Sequence, residues 1–281
     1  MEYELPTYEE MFIANKLELE KPNEYIMMNR LYLAVEGEGT SIGDPKWFFR
    51  TQGCSVGCAW CDSKPTWRFD KELSDWRDDM HSMFKIEEQD FDEFAQFLAD
   101  ASPIRCMSIT GGEPLQQNRE LLRKLIDALH NRGFRLQVET SGQIYDAEAE
   151  GLFSDIVDYG GMISVDLKTP SSKVKANIEA ITKMIQSPWA IAKQGALQLK
   201  AVNEISDEID YEFIKKWYNH FEGIAPNTMN FIITPCWSPG KDVNLTGEWI
   251  GNFLVDNEWV SHPKVIMQQH KVIYGTEHQD S

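Results

Sequence analysis

From residue 105 onward, short apolar runs alternate with stretches of helical spacing. "RCMSIT" (105–110) reads as a strand that ends in "GGEP". In residues 119–132, "RELLRKLIDALHNR", the side chains of Leu121, Leu122, Leu125, Ile126 and Leu129 fall on one helical face. Gly133 then marks a stop, because glycine accepts the left-handed conformation that closes a helix. "FRLQVETSG" alternates apolar and polar residues like a strand entering a turn, and "MISVDLK" is a further strand. "SSKVKANIEAITKMIQS" (171–187) sets Val174, Ile178, Ile181 and Ile185 at helical spacing. The strand "ALQLKAV", the helix "DEIDYEFIKKWYNHF" and the strands "MNFIITP" and "KVIMQ" complete the series. Upstream, Asp90 and Glu93 predict a capping-box start for the helix "FDEFAQFLADA".

Strands separated by helices in this way predict an α/β fold with a parallel sheet. About six strands are visible, fewer than the eight of a closed (β/α) barrel, so a partial barrel is expected. In such folds chemistry gathers where strands end. "GGEP", "ETSG", "DLKTPSS", "TPCW" and "QQHK" all follow predicted strands. Residues 1–24 are acidic and polar and read as an N-terminal extension of one domain spanning 25–281. The charge-dense stretch 68–89 reads as a surface insertion.

The chain has 281 residues and a formal net charge of −18. Such a field disfavours nucleic acids and anionic membranes as partners. No long apolar run predicts a membrane span, and the acidic start lacks the basic and apolar regions of a signal peptide. Five cysteines, an odd number with three clustered, do not read as a disulfide framework. A cytoplasmic location is expected.

The cluster itself, "RTQGCSVGCAWCDSKPTW" (50–67), spaces Cys54, Cys58 and Cys61 as C-x₃-C-x₂-C. Thiolates are soft ligands for zinc, copper(I) or iron–sulfur clusters. Three are one short of a closed zinc site. A four-iron cluster held by three cysteines leaves one iron open. Plain packing, zinc and an open-iron cluster are the three readings of this stretch.

The same residues resemble the radical S-adenosylmethionine (SAM) enzymes, in which this spacing holds a [4Fe–4S] cluster whose open iron chelates SAM. "GGEP" resembles their motif for the SAM amino group. More closely, "VEGEGTSIGDPKWFFRTQGCSVGCAWCDSKPTW" is similar to the 7-carboxy-7-deazaguanine synthases, and the similarity continues through "SITGGEP", "LQVETSG", "ISVDLKTPSSK", "LQLKAV" and "IMQQHK". The resemblance implies a partial barrel of the radical SAM type. It also implies a lyase of 7-deazapurine (queuosine-type) biosynthesis that converts 6-carboxy-5,6,7,8-tetrahydropterin into 7-carboxy-7-deazaguanine with loss of ammonia. SAM would be a reusable cofactor and Mg²⁺ would assist. A different radical SAM enzyme, such as an activase for a glycyl radical enzyme, is the alternative.

Residue by residue, the resemblance gives Cys54, Cys58 and Cys61 to the cluster and Ser63 to Mg²⁺. Trp60, Asp62, Gly111, Gly112, Glu113, Ser141, Asp166, Lys168 and Thr234 match positions around SAM. Val35, Glu36, Gly37, Glu38, Arg50, Thr110 and His270 match the substrate site, with Arg50 suited to a carboxylate by a bidentate pair. Two departures stand out. Relatives carry glutamine where this chain has Glu36, which places two acids close together unless a cation or a pterin N–H intervenes. Many also read "SPK" in place of "DLK" (166–168). The resemblance further implies a homodimer and a flavodoxin or ferredoxin electron donor. Such donors are acidic, so a local basic patch is expected near Arg50, Lys64 and Arg68.

Overall fold

The computed structural model describes residues 24–67, 73–204, 208–236 and 263–274, together with Gly251, Val255 and Trp259. The N-terminal extension up to residue 23, Arg68 and the chain beyond Tyr274 lie outside the described residues. Among the described residues ten strands form one sheet. In chain order they are β1 (Tyr25–Val35), β2 (Pro45–Thr51), β3 (Ser74–Asp75), β4 (Phe84–Glu87), β5 (Cys106–Gly111), β6 (Arg135–Thr140), β7 (Met162–Asp166), β8 (Leu197–Asn203), β9 (Met229–Pro235) and β10 (Lys264–Val265). Their spatial order is β10-β9-β8-β7-β6-β5-β2-β1-β4-β3. From β2 through β5 to β10 every neighbouring pair is parallel. On the far side β1 runs antiparallel to both β2 and β4. The helices are α1 (Phe91–Ala101), α2 (Arg119–Asn131), α3 (Ala147–Asp158), α4 (Ile178–Ile185), α5 (Pro188–Ala192), α6 (Glu208–Ile224) and α7 (Gln269–Tyr274). No helix of the described residues is long and apolar enough to cross a membrane.

The period-2 pattern sets the two faces of the parallel strands. Met107, Ile109, Leu136, Val138, Ile163 and Val165 join the apolar core with helices α2 and α3. The intervening residues form the other face and bond across strands: Ser108 Oγ donates to Glu139 (2.5 Å) and Gln198 Nε2 to Ser164 Oγ (2.7 Å). That polar face curls into a lumen. Glu38, in the loop after β1, meets Lys200 of β8 at 2.5 Å and accepts from Gln268 beyond β10 at 2.7 Å. Val35 N donates to Tyr274 Oη at 3.2 Å, which brings α7 against the end of β1. These contacts make the sheet a partial barrel, the architecture expected from the sequence.

Helix α2 buries the predicted stripe of Leu121, Leu122, Leu125, Ile126 and Leu129, and Gly133 takes φ +83° just after it. Asn118 supplies the cap by accepting from Leu121 N at 3.1 Å. Other expectations need correction. The capping box of α1 does not form: Asp90 makes no side-chain cap bond, and Arg77 Nη2 takes Asp90 (2.8 Å) and Glu93 (2.7 Å) instead. A guanidinium offers these carboxylates charge-assisted bonds stronger than a backbone N–H does. The helix expected over 171–187 begins only at Ile178, leaving Val174 outside. Pro170–Ser172 makes a 3-10 turn, Lys173 takes φ +61°, and Asn177 accepts from Ala180 N as the cap. The strand read from "KVIMQ" is Lys264–Val265 alone. Strands β1 and β2 were not among those read from the sequence.

The described part of the charged stretch, 73–89, is built into the sheet. Phe84 and Ile86 are fully buried on β4, and Trp76 packs edge-on to Phe94 of α1 at 5.3 Å between ring centroids. Trp76→Ala is expected to cost about 3–5 kcal/mol in urea unfolding. A loss below about 1 kcal/mol, the range of ordinary surface substitutions, would show that this segment only decorates the fold.

Candidate active site

Because the strands from β2 to β10 share one direction, their C-terminal ends open on one mouth. The cysteine loop leaves β2 at this mouth. It is pinned on three sides: Gly53 N donates to Thr66 O (2.7 Å), Ser55 N to Gln116 Oε1 (3.0 Å) and Ala59 N to Ser172 O (2.9 Å). Gly53 (φ +99°) and Gly57 (φ +66°) take left-handed conformations that tighten the loop. Gly112 is required by close approach, since a Cβ there would lie 2.2 Å from Gly53 O. Gln116 and Gln117 were not singled out from the sequence, yet both anchor this region. Gln117 Nε2 donates to Gln52 O at 2.6 Å, directly ahead of the loop.

The three thiols act on one another electrostatically, and burial raises their pKa values, to about 12 for Cys54 and about 11 for Cys61. Their sulfurs also face hydrogen-bond donors. Ser63 N lies 3.3 Å from Cys61 Sγ, and the ammonium of Lys168 acts on Cys58. The buried Trp67 Nε1, which has no partner of good geometry, faces Cys61. Donors aimed at sulfur suit thiolates bound to metal. Among the described residues no three His, Cys, Asp or Glu side chains converge as ligands of one ion. Cys106 starts β5 at the opposite end of the barrel, beside Arg135. Cys236 follows β9, and the groups that act on it most include Asp62, Glu38 and Lys271 but no cysteine of the loop.

Around the thiols stand the residues assigned to SAM by resemblance. Glu113 is 1% exposed, and both of its oxygens are used: Leu115 N and Thr140 Oγ1 bond to Oε1, and Ser141 N and Oγ bond to Oε2. Here it ties the strand-end loops of β5 and β6 together. Trp60 lies below Lys168 Nζ (5.8 Å from the ring centre), and its indole donates to Ser171 Oγ at 3.4 Å. Gly111 (φ +98°) lets Arg50 pass, since a Cβ would lie 2.1 Å from Arg50 Cγ. Thr110 sits at the end of β5, where its carbonyl accepts from Thr51 Oγ1. Thr234 Oγ1 and Asn203 Oδ1, on fully buried residues at the ends of β9 and β8, have no hydrogen-bond partner among the described residues. Such unmet acceptors and donors fit a polar ligand at the mouth.

Below them the lumen is charged. Lys200 bonds Glu38 (2.5 Å) and approaches Asp166 (3.4 Å) and Glu139 (3.9 Å). Asp166 also bonds Lys168 at 2.7 Å, so it sits between two lysines. The pKa of Glu38 is lowered: burial opposes its charge, but the charges of Lys200 and His270 and the hydrogen bonds from Lys200 and Gln268 outweigh it. Glu36 and Glu38 do not share a cation. Glu36 is 4% exposed and pairs with the equally buried Lys46 at 3.0 Å, and its Oε1 accepts from Gly37 N. Lys46 therefore answers the charge of Glu36. Glu139, absent from the residues chosen by sequence, is pushed up to about 7 by burial and by Glu36.

At the rim, His270 packs on Gly37, where a Cβ would lie 2.3 Å from its Nδ1, and Gln269 N donates to Gly37 O at 2.9 Å. Ser63 is 8% exposed and donates its hydroxyl to Asp62 Oδ1 (3.3 Å), leaving its lone pairs for a cation. Arg50 turns inward to Tyr32, donating to its hydroxyl at 3.0 Å with Nε buried. It therefore does not belong to the surface patch expected near Lys64.

Two consequences follow for stability. Lys46→Met strands a buried carboxylate and is expected to cost about 3–5 kcal/mol, most of it recovered in the double variant with Glu36→Gln. Urea unfolding of the set reads this, and a neutral single variant would contradict the pairing. Folded Glu139 keeps its proton up to about pH 7, whereas an unfolded glutamate releases it near the ordinary 4.5. Folding thus takes up a proton between these values, and stability falls as pH rises through that window. Glu139→Gln should stabilise by on the order of 1–3 kcal/mol above pH ~7 and lose that gain near pH ~4. A gain that ignores pH would contradict the shift.

Comparison with known proteins identifies the family. Residues 48–202 match the model of the radical SAM superfamily. The 7-carboxy-7-deazaguanine synthase of Koribacter versatilis (strain Ellin345) is 28% identical over 260 residues, 90% of this chain and 98% of the relative. That of Bacillus subtilis (strain 168) is 31% identical over 193 residues, 68% of this chain and 70% of the relative. The crystal structure of QueE from Escherichia coli superposes with a TM-score of 0.61 at 22% identity, covering 88% of this chain and 95% of that one, and so shares the fold. Streptococcus suis SuiB bound to S-adenosylmethionine gives a TM-score of 0.52 at 14% identity, over 78% of this chain and 49% of that one. With its three-thiol loop, its strand-end motifs and these relatives, the chain belongs to the radical SAM superfamily and, within it, to the 7-carboxy-7-deazaguanine synthase family.

Proposed function

We infer that this chain converts 6-carboxy-5,6,7,8-tetrahydropterin into 7-carboxy-7-deazaguanine, a step of 7-deazapurine biosynthesis. Substrate and product differ by the elements of ammonia, so the conversion is redox-neutral overall. When bound, the [4Fe–4S] cluster and SAM supply a one-electron cleavage that generates a hydrogen-abstracting radical. The observation that carries the reading is the pairing of a three-thiol loop with a charged lumen directly beneath it.

The protein's own residues have separable tasks. Cys54, Cys58 and Cys61 hold the cluster, and Lys168 and Trp67 place N–H groups toward its sulfurs. Trp60, Asp62, Gly111, Gly112, Glu113, Ser141, Asp166, Lys168 and Thr234 shape the SAM pocket. Glu38, kept ionised by Lys200, accepts hydrogen bonds from ring N–H groups of the pterin. Glu139, whose pKa burial and Glu36 raise to about 7, offers a donor and an acceptor in its protonated form. Val35, Glu36, Gly37 and Thr110 shape the wall, with Glu36 acting through Lys46. Arg50 and His270 meet the substrate at the rim. Ser63 gives Mg²⁺ one oxygen and leaves it mostly hydrated, as that ion prefers. A homodimer fed by a flavodoxin or ferredoxin completes the proposal. An activase acting on a protein chain has no use for the ionised pocket around Lys200.

Anaerobically reconstituted protein with SAM, reductant and Mg²⁺ should form the deazaguanine acid from the carboxypterin, read by product mass. A protein with a full cluster that leaves the pterin untouched would overturn the assignment. Cys58→Ala should abolish cluster absorbance and turnover together. Ser63→Ala should keep cluster and SAM cleavage but lose the Mg²⁺ response of product formation, and an undiminished response would remove Ser63 as a ligand.

A further inference from the structure

The carboxylate of Asp62 is supplied with more positive charge than it needs. Lys271 Nζ lies 3.2 Å from its Oδ2, and His270 Nε2 lies 3.9 Å from the same oxygen. Arg50 acts on it from β2, and the Ser63 hydroxyl donates to Oδ1. These groups come from β2, the cysteine loop and α7, in a chain whose net charge is −18.

The cations are poorly satisfied. The Lys271 side chain is 4% exposed, yet Asp62, itself 45% exposed, is its acceptor among the described residues. An ammonium has three N–H donors to place. Arg50 gives one N–H to Tyr32, keeps Nε buried without an acceptor, and pairs with no carboxylate among the described residues at salt-bridge distance. A buried ammonium and a buried guanidinium Nε with so few acceptors among the described residues are a poor choice for stability alone. Helix α7 is also held by other bonds, Gln269 N to Gly37 O and Val35 N to Tyr274 Oη. What the spot suits is an anion arriving from solvent.

Its position sets the class of anion. His270 lies 3.9 Å from Asp62, and Gln268, two residues before it, donates to Glu38 at 2.7 Å, so this segment reaches both acids. A ligand with a carboxylate at one end and N–H donors at the other would span from the Arg50–Lys271 side to Glu38. We propose that Lys271 joins Arg50 in seating the substrate carboxylate, and that Asp62 holds this seat until the carboxylate displaces it. The proposal rests on the pterin reading above. Lys271 is thereby a specificity-determining residue of that site, contributed by the C-terminal helix.

The test compares two ligands on the anaerobically reconstituted, SAM-loaded protein: 6-carboxy-5,6,7,8-tetrahydropterin and 5,6,7,8-tetrahydropterin, which lacks the carboxylate. Binding is read by calorimetry without reductant, so that turnover does not intervene. Lys271→Met should weaken the carboxylated ligand roughly 10- to 100-fold, as loss of a charged hydrogen bond does, and leave the other within about 2-fold. Lys271→Arg should restore most of the preference for the carboxylate, which guards against a variant that merely folds badly. Equal weakening of both ligands by Lys271→Met would assign Lys271 to structure alone. Unchanged binding of both would remove it from the site. A wild-type protein that binds neither pterin overturns the substrate reading itself and this assignment with it.

Discussion

Lys200 stands on the lumen face of β8, and carboxylates from three separate segments gather on it: Glu38 from the β1–β2 loop, Glu139 from β6 and Asp166 from β7. A buried charge is tolerated only with partners, so every ion placed in this barrel commits another. Lys46 answers Glu36, and Lys168 answers Asp166. The pocket is therefore a network in which positions are coupled. The acid at 36 belongs with Lys46. The acid at 166 belongs with Lys168 and Lys200. Its unbalanced member is Glu139, which burial and Glu36 push toward the protonated form.

The network depends on parallel register. Because Asp166 lies opposite Lys200, and Glu139 opposite Ser164, the polar residues of adjacent strands fall into rows on one face. The same strand direction delivers the cysteine loop, "GGEP" and "ETSG" to one mouth. There they lock together through Gly53, Glu113 and Ser141. The thiols thus sit on a scaffold fixed by backbone bonds, while the charges lie one layer below.

Much of this was legible in the chain. The stripe on α2, the strands β5 to β9 and the strand-end position of the motifs follow from periodicity. The thiol spacing and the strand-end motifs, read by resemblance, marked the family. What stayed hidden was of another kind. Alternation in "FRLQVETSG" reveals two faces but not that the polar one points inward, so nothing singles out Glu139. Val174 matched a helical period, but Lys173 breaks the backbone just ahead of it. Arg77 took the carboxylates that would have capped α1 from across a loop, a contact that no local pattern encodes. Lys271 lies in "QQHK", but its partner Asp62 stands more than two hundred positions earlier, beyond the reach of any local pattern.

The central claim is that three cysteines complete the protein's share of the cluster and leave a metal corner to a ligand. Electron paramagnetic resonance of the reduced, anaerobically reconstituted protein, recorded with and without SAM, addresses it directly. A four-iron signal whose g-values shift when SAM is added is the expected result. A signal indifferent to SAM, or protein that carries zinc and no iron, would contradict it.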